Sequence, residues 1–263
     1  MELQEHLDAF ADAGVRVIAV TPEPVEVIAA FTERHGVSFP VLSDAGSVVI
    51  NEYGILNTEV PEDHRLYGMP FPGAYLVDAD GRITQKHFNT NYRVRESAEM
   101  VIRGDLGEWY DPEGYPAASG GAVVSASLGS RELKPFSRVE VLVRIDLPDG
   151  QHAYGEPVPE GLVATSVAVT GPEELRAEAP VMPSTRPLFV EGVGEELQVF
   201  EGDIHIRVPI SYRAAEAPDG GDTVPIGIEV RYQACDELVC FLPAEERLTL
   251  NAPLGGHLRP ERD

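Results

Sequence analysis

The sequence predicts an α/β domain followed by an all-β sandwich, and three observations carry this prediction. Residues 1–106 alternate between patterns typical of helices and patterns typical of strands, which favours a sheet layered with helices. The segment GEWYDPEGYPAASGG (107–121) is rich in glycine, proline and serine and is predicted to be a linker. From residue 122 to 255 the apolar residues recur with a period of two, as in a β-sandwich, and residues 256–263 are predicted to form a flexible tail.

Composition limits the classes of partner. The chain has 263 residues with 20 basic and 44 acidic side chains, so its formal net charge is −24. This sign repels phosphate backbones and anionic lipid surfaces, and we therefore predict no nucleic-acid partner. No apolar run approaches the roughly 20 residues of a membrane helix, so we predict no membrane span. Acidic residues stand where a signal peptide carries basic ones, so the chain is cytoplasmic as written, or extracytoplasmic if it is truncated at its N-terminus.

The first domain is predicted to open with a helix. The apolar face of this helix consists of Leu3, Leu7, Phe10 and Ala11. Gly14 ends it, and VRVIAV (15–20) is predicted to be a strand covered on both faces, because it is almost wholly apolar. Thr21 is predicted to cap, and Pro22 to open, a helix that runs to about His35.

The alternation continues to the end of this domain. FPVLSD (39–44) is predicted to be a strand and AGSVVINEYG (45–54) a short helix. GAYLVDADGRITQKHF (73–88) is predicted to form two strands around an Asp-Ala-Asp-Gly turn. A last helix is predicted from about Val94 to Arg103.

Short strands without helices fill the second domain. The predicted strands are 122–128, 138–147, 162–170, 197–212, 223–232 and 246–251. Turn residues such as Pro148-Asp149-Gly150 separate them. This arrangement is typical of a β-sandwich.

The first domain resembles the peroxiredoxin (AhpC/TSA) branch of the thioredoxin fold over about residues 1–105. The matching stretches are VRVIAVTPEPVEVIAAFTERHGVSFPVLSDAGSVVINEYGI (15–55) and PFPGAYLVDADGRI (70–83). In that family a proline before the strand is cis and lies beside the reactive cysteine, and Pro72 matches this position. The resemblance therefore implies a cis bond at Pro72, and a plain trans turn proline is the alternative.

The catalytic part of that family has no counterpart here. A redoxin domain begins with a strand and a loop whose cysteine stands at the start of the first helix, where the helix N-terminus lowers the thiol pKa. This chain starts inside that helix, and residues 1–120 contain no cysteine. We expect no peroxidase activity from this chain alone. We favour an N-terminal truncation over a domain that has become a scaffold, because loss of a strand would leave an unpaired sheet edge.

Both cysteines of the chain, Cys235 and Cys240, stand in one short bend and could form a redox pair, a structural staple or half of a metal site. Their spacing allows the roughly 4.4–6.8 Å between Cα atoms that a disulfide requires. A loop this short gains little from cross-linking, which favours redox exchange over a staple. A zinc site ranks third, because only two cysteines exist and the histidines are scattered, so we predict no metal. Asp236 and Glu237, between the cysteines, are expected to raise the thiol pKa values.

The second domain resembles the N-terminal domain of the thiol:disulfide interchange protein DsbD, which is an immunoglobulin-like sandwich. The matching stretches are PDGQHAYGEP (148–157), VFEGDIHIRVPI (199–210) and YQACDELVCFLPAEERLTL (232–250). The resemblance implies that the cysteines shuttle electrons by disulfide exchange. It extends to the residues that flank them, namely Tyr232, Gln233 and Pro243. For Tyr232, packing within a strand is the alternative to a direct role.

The same resemblance implies an aromatic cap over the disulfide. The corresponding stretch is PSTRPLFVEGVG (183–194), in which Phe189 is the available aromatic residue, with ordinary core packing as the alternative. His152 and Tyr154 are interpreted as surface or fold residues at the start of a strand. Cys240 is predicted to be the exposed thiol, because Cys235 continues a strand.

These inferences combine into a two-domain thiol–disulfide redox protein that needs no cofactor. Electrons would pass through the Cys235/Cys240 pair to or from a thiol or disulfide partner protein. The alternative is a non-catalytic interaction module in which the disulfide is structural.

Overall fold

The computed structural model describes residues 2–88, 95–102, 115–116, 121–190 and 192–256. The chain divides into two compact units, Met1–Gly107 and Glu108–Asp263. The predicted linker and C-terminal tail lie largely outside the described residues, so their bounds stay predictions.

The first unit mixes short helices and strands. Its helices are α1 (Glu2–Glu5), α2 (Leu7–Asp12), α3 (Val25–His35), α4 (Val48–Glu52) and α5 (Ala98–Met100). Its strands are β1 (Ala19–Thr21), β2 (Val41–Ser43), β3 (Gly73–Val77), β4 (Ile83–Phe88) and β5 (Arg95–Glu96). The order of α2 to β4 is the predicted alternation of helix and strand.

The predicted start of the second helix in this unit is wrong. Helix α3 begins at Val25 with Pro24 as its N-cap, not at Thr21 and Pro22. The carbonyl of Pro24 accepts the N–H groups of Val27 and Ile28, and the extended backbone of this proline marks the turn into the helix. The end of α3 is as predicted, because Gly36 adopts the left-handed conformation at φ +61° that closes a helix.

The strand predicted at 15–20 is shorter and more exposed than expected. Only Ala19–Thr21 is a strand, and it pairs in parallel with β2, while β3 pairs in antiparallel with β4 in a separate sheet. Ile18 and Val20 are about half exposed. These two residues share one face of the predicted strand, so this apolar run is exposed on one face and is not covered on both.

Within the described residues, the last predicted helix of the unit corresponds to the single turn of α5. Ser97 caps α5 through its hydroxyl, which accepts the N–H of Met100 at 3.0 Å. The predicted ends of this helix, Val94 and Arg103, lie outside the described residues.

The second unit is built from antiparallel strands. They are β6 (Tyr115–Pro116), β7 (Val123–Leu128), β8 (Ser137–Asp146), β9 (His152–Tyr154), β10 (Ser166–Thr170), β11 (Leu175–Ala177), β12 (Arg186–Val190), β13 (Glu195–Glu201), β14 (Asp203–Tyr212), β15 (Thr223–Tyr232), β16 (Ala234–Cys235) and β17 (Ala244–Pro253). Their orders within sheets are β10-β15-β17, β11-β14-β8-β7-β6 and β12-β13-β9-β16. The all-β prediction for this half is confirmed.

Two of the predicted strands differ in length or number. The run 197–212 is two strands, because Gly202 turns the chain at φ +64° between β13 and β14. The run 162–170 is a strand only from Ser166. Three short strands, β6, β11 and β12, were not predicted, because two to five residues are too few to show a period of two. β9 was predicted only as the start of a strand, and β16 only as a continuation of the strand before Cys235.

One apolar core holds the sandwich together. Alternate residues of the long strands face it, namely Val141, Val143 and Ile145 of β8, Ile206, Val208 and Ile210 of β14, and Ile226, Ile228 and Val230 of β15. A smaller cluster of buried residues consists of Tyr154, Leu197, Val199 and Cys235. One cysteine therefore belongs to a core cluster of the sheet that contains β9 and β16.

Candidate functional site

Cys235 and Cys240 lie opposite each other in a tight hairpin and are joined by a disulfide. The N–H of Asp236 donates to the carbonyl of Val239 at 2.9 Å, and the N–H of Phe241 donates to the carbonyl of Ala234 at 2.9 Å. The cysteines lie between these two hydrogen bonds, which is the antiparallel position where facing side chains are closest. Their Cα atoms are 4.0 Å apart, slightly below the predicted range.

The two sulfur-bearing residues differ in exposure. Cys235 is 1% exposed, because it lies in β16 and pairs with His152 of β9. Cys240 is exposed, on the returning arm of the hairpin. Leu238 lies in the turn between the cysteines and Leu242 lies two residues after Cys240, and both side chains are largely exposed. Cys240 is therefore the more accessible of the two cysteines, as predicted from the strand pattern.

Tyr154 of β9 contacts both sulfur atoms. Its hydroxyl oxygen lies 3.1 Å from Sγ of Cys235 and 3.4 Å from Sγ of Cys240. Sulfur atoms in a disulfide carry no proton, so the hydroxyl is the donor, and its single proton can serve one sulfur at a time. The side chain is fully buried, and burial raises the pKa of Tyr154, which keeps the hydroxyl protonated.

Of the two alternatives for His152 and Tyr154, surface residues or fold residues at the start of a strand, the surface alternative is wrong, because both residues are buried in β9. Both stand on the face of β9 that carries the disulfide. The ring centroids of the two side chains are 5.5 Å apart in an edge-to-face arrangement. The sequence contains a signal for this arrangement. In HAY (152–154), which lies between two glycines, the two ring side chains are separated by one alanine, so in a strand both rings lie on the same face.

Asp236 shapes the turn between the cysteines. Its carboxylate accepts the N–H groups of Leu238 and Val239, each at 2.7 Å. These hydrogen bonds, first that of Leu238, lower the pKa of Asp236 and keep it charged. Glu237 is exposed at the tip. The predicted effect of Asp236 and Glu237 on the thiols stays a prediction, because disulfide-bonded cysteines do not titrate.

Gln233 braces the base of the hairpin at the point where the chain leaves β15 for β16. Its buried amide donates to the carbonyl of Phe241 at 3.0 Å and accepts the N–H of Val163 at 3.0 Å. The side chain thus ties the returning arm of the hairpin to the segment before β10.

We expect Gln233→Leu to destabilise the second unit. The change leaves the Phe241 carbonyl and the Val163 N–H without their partner, at a cost of about 1–3 kcal/mol for each buried group. The two groups together give about 2–6 kcal/mol, so thermal denaturation should show a fall of roughly 4–24 °C, from about 2–4 °C per kcal/mol for a unit of this size. Gln198→Leu, which removes one hydrogen bond to Thr185, is the matched control. An equal or smaller loss in the Gln233 variant would contradict a bracing role.

Tyr232 is the last residue of β15 and Pro243 lies just before β17, so these two predicted site residues stand on either side of the cysteine hairpin. Tyr232 is fully buried in the main core and pairs with Ala244, and burial and the nearby Glu246 raise its pKa to about 12. This position agrees with packing within the strand. Pro243 is exposed and lies just before β17.

Phe189 does not cap the disulfide in this structure and does not pack in the core. It is 61% exposed on β12 and pairs with Glu196, whereas its neighbour Leu188 pairs with Leu197 in the Tyr154 cluster. Since successive side chains point to opposite faces of a strand, Phe189 faces away from that cluster. Both the cap and the core-packing interpretations of Phe189 are therefore wrong.

The predicted cis bond at Pro72 is also wrong. Among the described residues the cis peptide is Glu156-Pro157, and Phe71-Pro72 is trans, which is the ordinary state of X-Pro bonds. Pro72 belongs to the first unit, where Phe71 donates its N–H to Ile55 and Gly73 begins β3. It therefore keeps the place before a strand but not the predicted isomer.

The described residues hold no group of three or more His, Cys, Asp or Glu side chains placed to bind a metal ion. Within the same residues, no helix has both the length and the apolar character needed to cross a membrane.

Comparison with known families agrees with this geometry. Residues 132–252 match the family model described as thiol:disulfide interchange protein DsbD, N-terminal. Residues 1–86 match the AhpC/TSA family. The predicted resemblances are confirmed: a thioredoxin-like redoxin region precedes a DsbD-like immunoglobulin-like sandwich. The DsbD-like unit is the one that holds the Cys235–Cys240 disulfide.

Individual relatives agree with the AhpC/TSA match. The thiol-disulfide oxidoreductase ResA of Halalkalibacterium halodurans is 32% identical over 95 residues, which is 35% of this chain and 47% of that protein. A Mycobacterium tuberculosis protein named as a peroxiredoxin is 28% identical over 92 residues, which is 34% of this chain and 55% of that protein. The chain thus spans about half the length of these relatives.

Solved structures similar to the chain include two with DsbD domains of Neisseria meningitidis. The reduced DsbD N-terminal domain is 16% identical, with a TM-score of 0.33 over 56% of this chain and 92% of that chain. The complex between the DsbD and PilB N-terminal domains gives 16% identity and a TM-score of 0.35 over 57% of this chain and 94% of that chain.

Proposed function

We propose that this protein exchanges disulfides with a thiol-containing partner protein through Cys235 and Cys240. The observation that supports this most is the asymmetry of the pair. Cys240 is exposed on the hairpin, whereas Cys235 is buried with its sulfur 3.1 Å from the Tyr154 hydroxyl. In disulfide exchange, one sulfur must be accessible to the attacking thiolate, and the other must leave as a thiolate that neighbouring groups stabilise.

The chemistry is a thiol–disulfide exchange. A partner thiolate attacks Sγ of Cys240, the Cys235–Cys240 bond breaks, and its electron pair goes to Sγ of Cys235. The hydroxyl of Tyr154 donates a hydrogen bond to the leaving sulfur, and hydrogen bonds to charged groups are among the strong ones. A second thiol of the partner then resolves the mixed disulfide, so that the partner is oxidised and both cysteines are reduced.

The surface around Cys240 supports a protein partner over a small thiol. Leu238 is 92% exposed, Leu242 is largely exposed and Val239 is about half exposed, all within two residues of Cys240. Clustered apolar side chains on a short hairpin suit a partner that buries them. One similar structure is by its title a complex of a DsbD N-terminal domain with a second domain. We assign this chain a partner of the same general kind, a protein domain with redox-active thiols.

The first unit contributes no thiol to this reaction. Residues 1–120 contain no cysteine, so we place the exchange chemistry in the DsbD-like unit. The redoxin-like unit is proposed to assist by binding and not by thiol chemistry.

Single-cysteine variants test the proposed asymmetry. We expect Cys235→Ser, which keeps Cys240, to react with an aromatic disulfide reagent at least about tenfold faster than Cys240→Ser, since access governs exchange rates. Release of the coloured aromatic thiolate gives both rates, and both variants should react equally fast once unfolded in guanidinium.

Equal rates in the folded state, or a faster Cys235, would contradict the proposal. If neither folded variant reacts, the disulfide is structural and the chain is an interaction module. The unfolded controls exclude the explanation that one thiol was already blocked.

A further inference from the structure

A buried histidine faces the cysteine that leaves in this reaction. His152 stands in β9 between two pairing partners, Cys235 of β16 and Glu201 of β13. Residues paired directly across antiparallel strands project to the same face with Cβ atoms about 4.5–5.5 Å apart. The imidazole and Sγ of Cys235 are therefore neighbours on one face of the sheet.

One ring nitrogen of this histidine has no partner. His152 is 8% exposed, and its Nε2 atom is buried without a hydrogen bond. Buried polar atoms in native proteins are almost always hydrogen-bonded, and an exception calls for an explanation. Here the explanation we offer lies in a second state of the site, in which a charge appears beside the ring.

The charged groups around His152 come from every neighbouring element. Glu201 of β13 is paired with Arg186 of β12, Asp236 follows β16, and the Tyr154 ring packs edge-on in β9 itself. Burial lowers the pKa of His152, the carboxylates of Glu201 and Asp236 raise it, and the Arg186 guanidinium lowers it. Burial is the largest effect, so the ring is neutral beside the intact disulfide.

We propose that His152 is a positioning residue for disulfide exchange, whose imidazole takes up a proton when Cys240 is attacked and so stabilises the buried thiolate of Cys235. The proposal rests on the proposed function of the cysteine pair. It adds a residue that no motif around the cysteines indicates.

Atoms and electrons balance in this step. The partner thiolate forms a bond to Sγ of Cys240, and the electron pair of the broken disulfide becomes the lone pair of the Cys235 thiolate. One proton moves from solvent to the imidazole of His152. The second thiolate of the partner then attacks the partner's own sulfur in the mixed disulfide, which releases Cys240 and leaves the partner oxidised.

The sign of the pH dependence follows from this scheme. A protonated His152 favours the leaving thiolate, so the rate of disulfide cleavage per attacking thiolate should rise as pH falls. Without the imidazole, the rate per attacking thiolate should not change with pH, because Asp236 and the Glu201–Arg186 pair keep their charges near neutral pH.

The test measures reduction of the disulfide by dithiothreitol between about pH 5.5 and 8.5, the range in which histidine titrates. Reaction mixtures are quenched by alkylation and analysed by mass, and each rate is divided by the thiolate concentration. We expect the corrected rate of the unaltered protein to be about tenfold higher at the acid end, which corresponds to one pKa unit of coupling.

His152→Phe keeps a ring that cannot titrate, and His152→Gln keeps a polar group. Both should give a flat profile at the lower rate. His205→Gln, a change of a histidine on β14, is the matched control and should keep the profile of the unaltered protein.

Three outcomes are distinguishable. A flat corrected profile in the unaltered protein, which needs no variant to fold, overturns the role of His152 but leaves the exchange function intact. The same slope in His152→Phe as in the unaltered protein also overturns it, and a fall in melting temperature without a change in slope would show a purely structural histidine. If dithiothreitol does not reduce the disulfide of the folded protein at all, the proposed function itself fails.

Discussion

Replacing both cysteines by serine should abolish disulfide exchange completely while lowering the melting temperature of the second unit only modestly. The disulfide closes a loop of sequence separation 5. The loop-closure relation assigns so short a loop about 2 kcal/mol, which corresponds to a fall of roughly 4–8 °C in a unit of this size. The main core, formed by β7, β8, β14 and β15, contains neither cysteine and should maintain the fold.

The matched control for this prediction is the unaltered protein melted with and without a reductant. The reduced protein should melt within a few degrees of the double variant, because both lack the same cross-link. A loss above about 15 °C in both cases would far exceed the loop-closure value and would identify a staple on which the fold depends.

Changes at Tyr154 should have the second largest effect. Tyr154→Ala removes a fully buried aromatic side chain from the cluster with Leu197 and Val199, and large-to-small changes of this kind cost about 3–5 kcal/mol. Tyr154→Phe keeps the ring and loses the hydroxyl. Hydrogen bonds to charged groups contribute about 1.5–3 kcal/mol, so cleavage of the disulfide by a thiolate should slow by roughly 10- to 100-fold.

Tyr212 offers a control for the loss of a hydroxyl. It is also fully buried in the second unit, and its hydroxyl donates to the carbonyl of Glu216 at 2.8 Å. Tyr212→Phe should therefore lose about 1 kcal/mol of stability and leave the exchange rate unchanged. If Tyr154→Phe and Tyr212→Phe exchange at the same rate, the contact of Tyr154 with the sulfurs has no role in the reaction.

The long strands and the cysteine hairpin could be predicted from the sequence, because both depend on local patterns. β8, β14 and β15 each run for ten residues, and their core-facing apolar residues recur at every second position, so the period of two is visible in the sequence. Cys235 and Cys240 are five residues apart in one bend, so their pairing needs no knowledge of the fold. The greater burial of Cys235 also follows from its place at the end of a strand.

The surroundings of the disulfide could not be predicted in the same way. Tyr154 precedes Cys235 by 81 residues, and only the pairing of β9 with β16 brings them together. Strands of two and three residues leave no periodic signal that would announce this pairing. The prediction that Phe189 caps the disulfide was wrong for a related reason. A shift of one residue along β12 moves every side chain to the opposite face of the strand, and the sequence does not show which face Phe189 occupies.

An equilibrium redox titration of the cysteine pair tests the central claim most directly. The protein is incubated in glutathione buffers of defined potential, and the fraction of disulfide is read by alkylation and mass. We predict a single reversible two-electron transition above about −300 mV, in the range of proteins that exchange disulfides with partners. A transition below about −300 mV would mark a structural disulfide, and two thiols that stay free throughout would show that Cys235 and Cys240 do not form a redox pair.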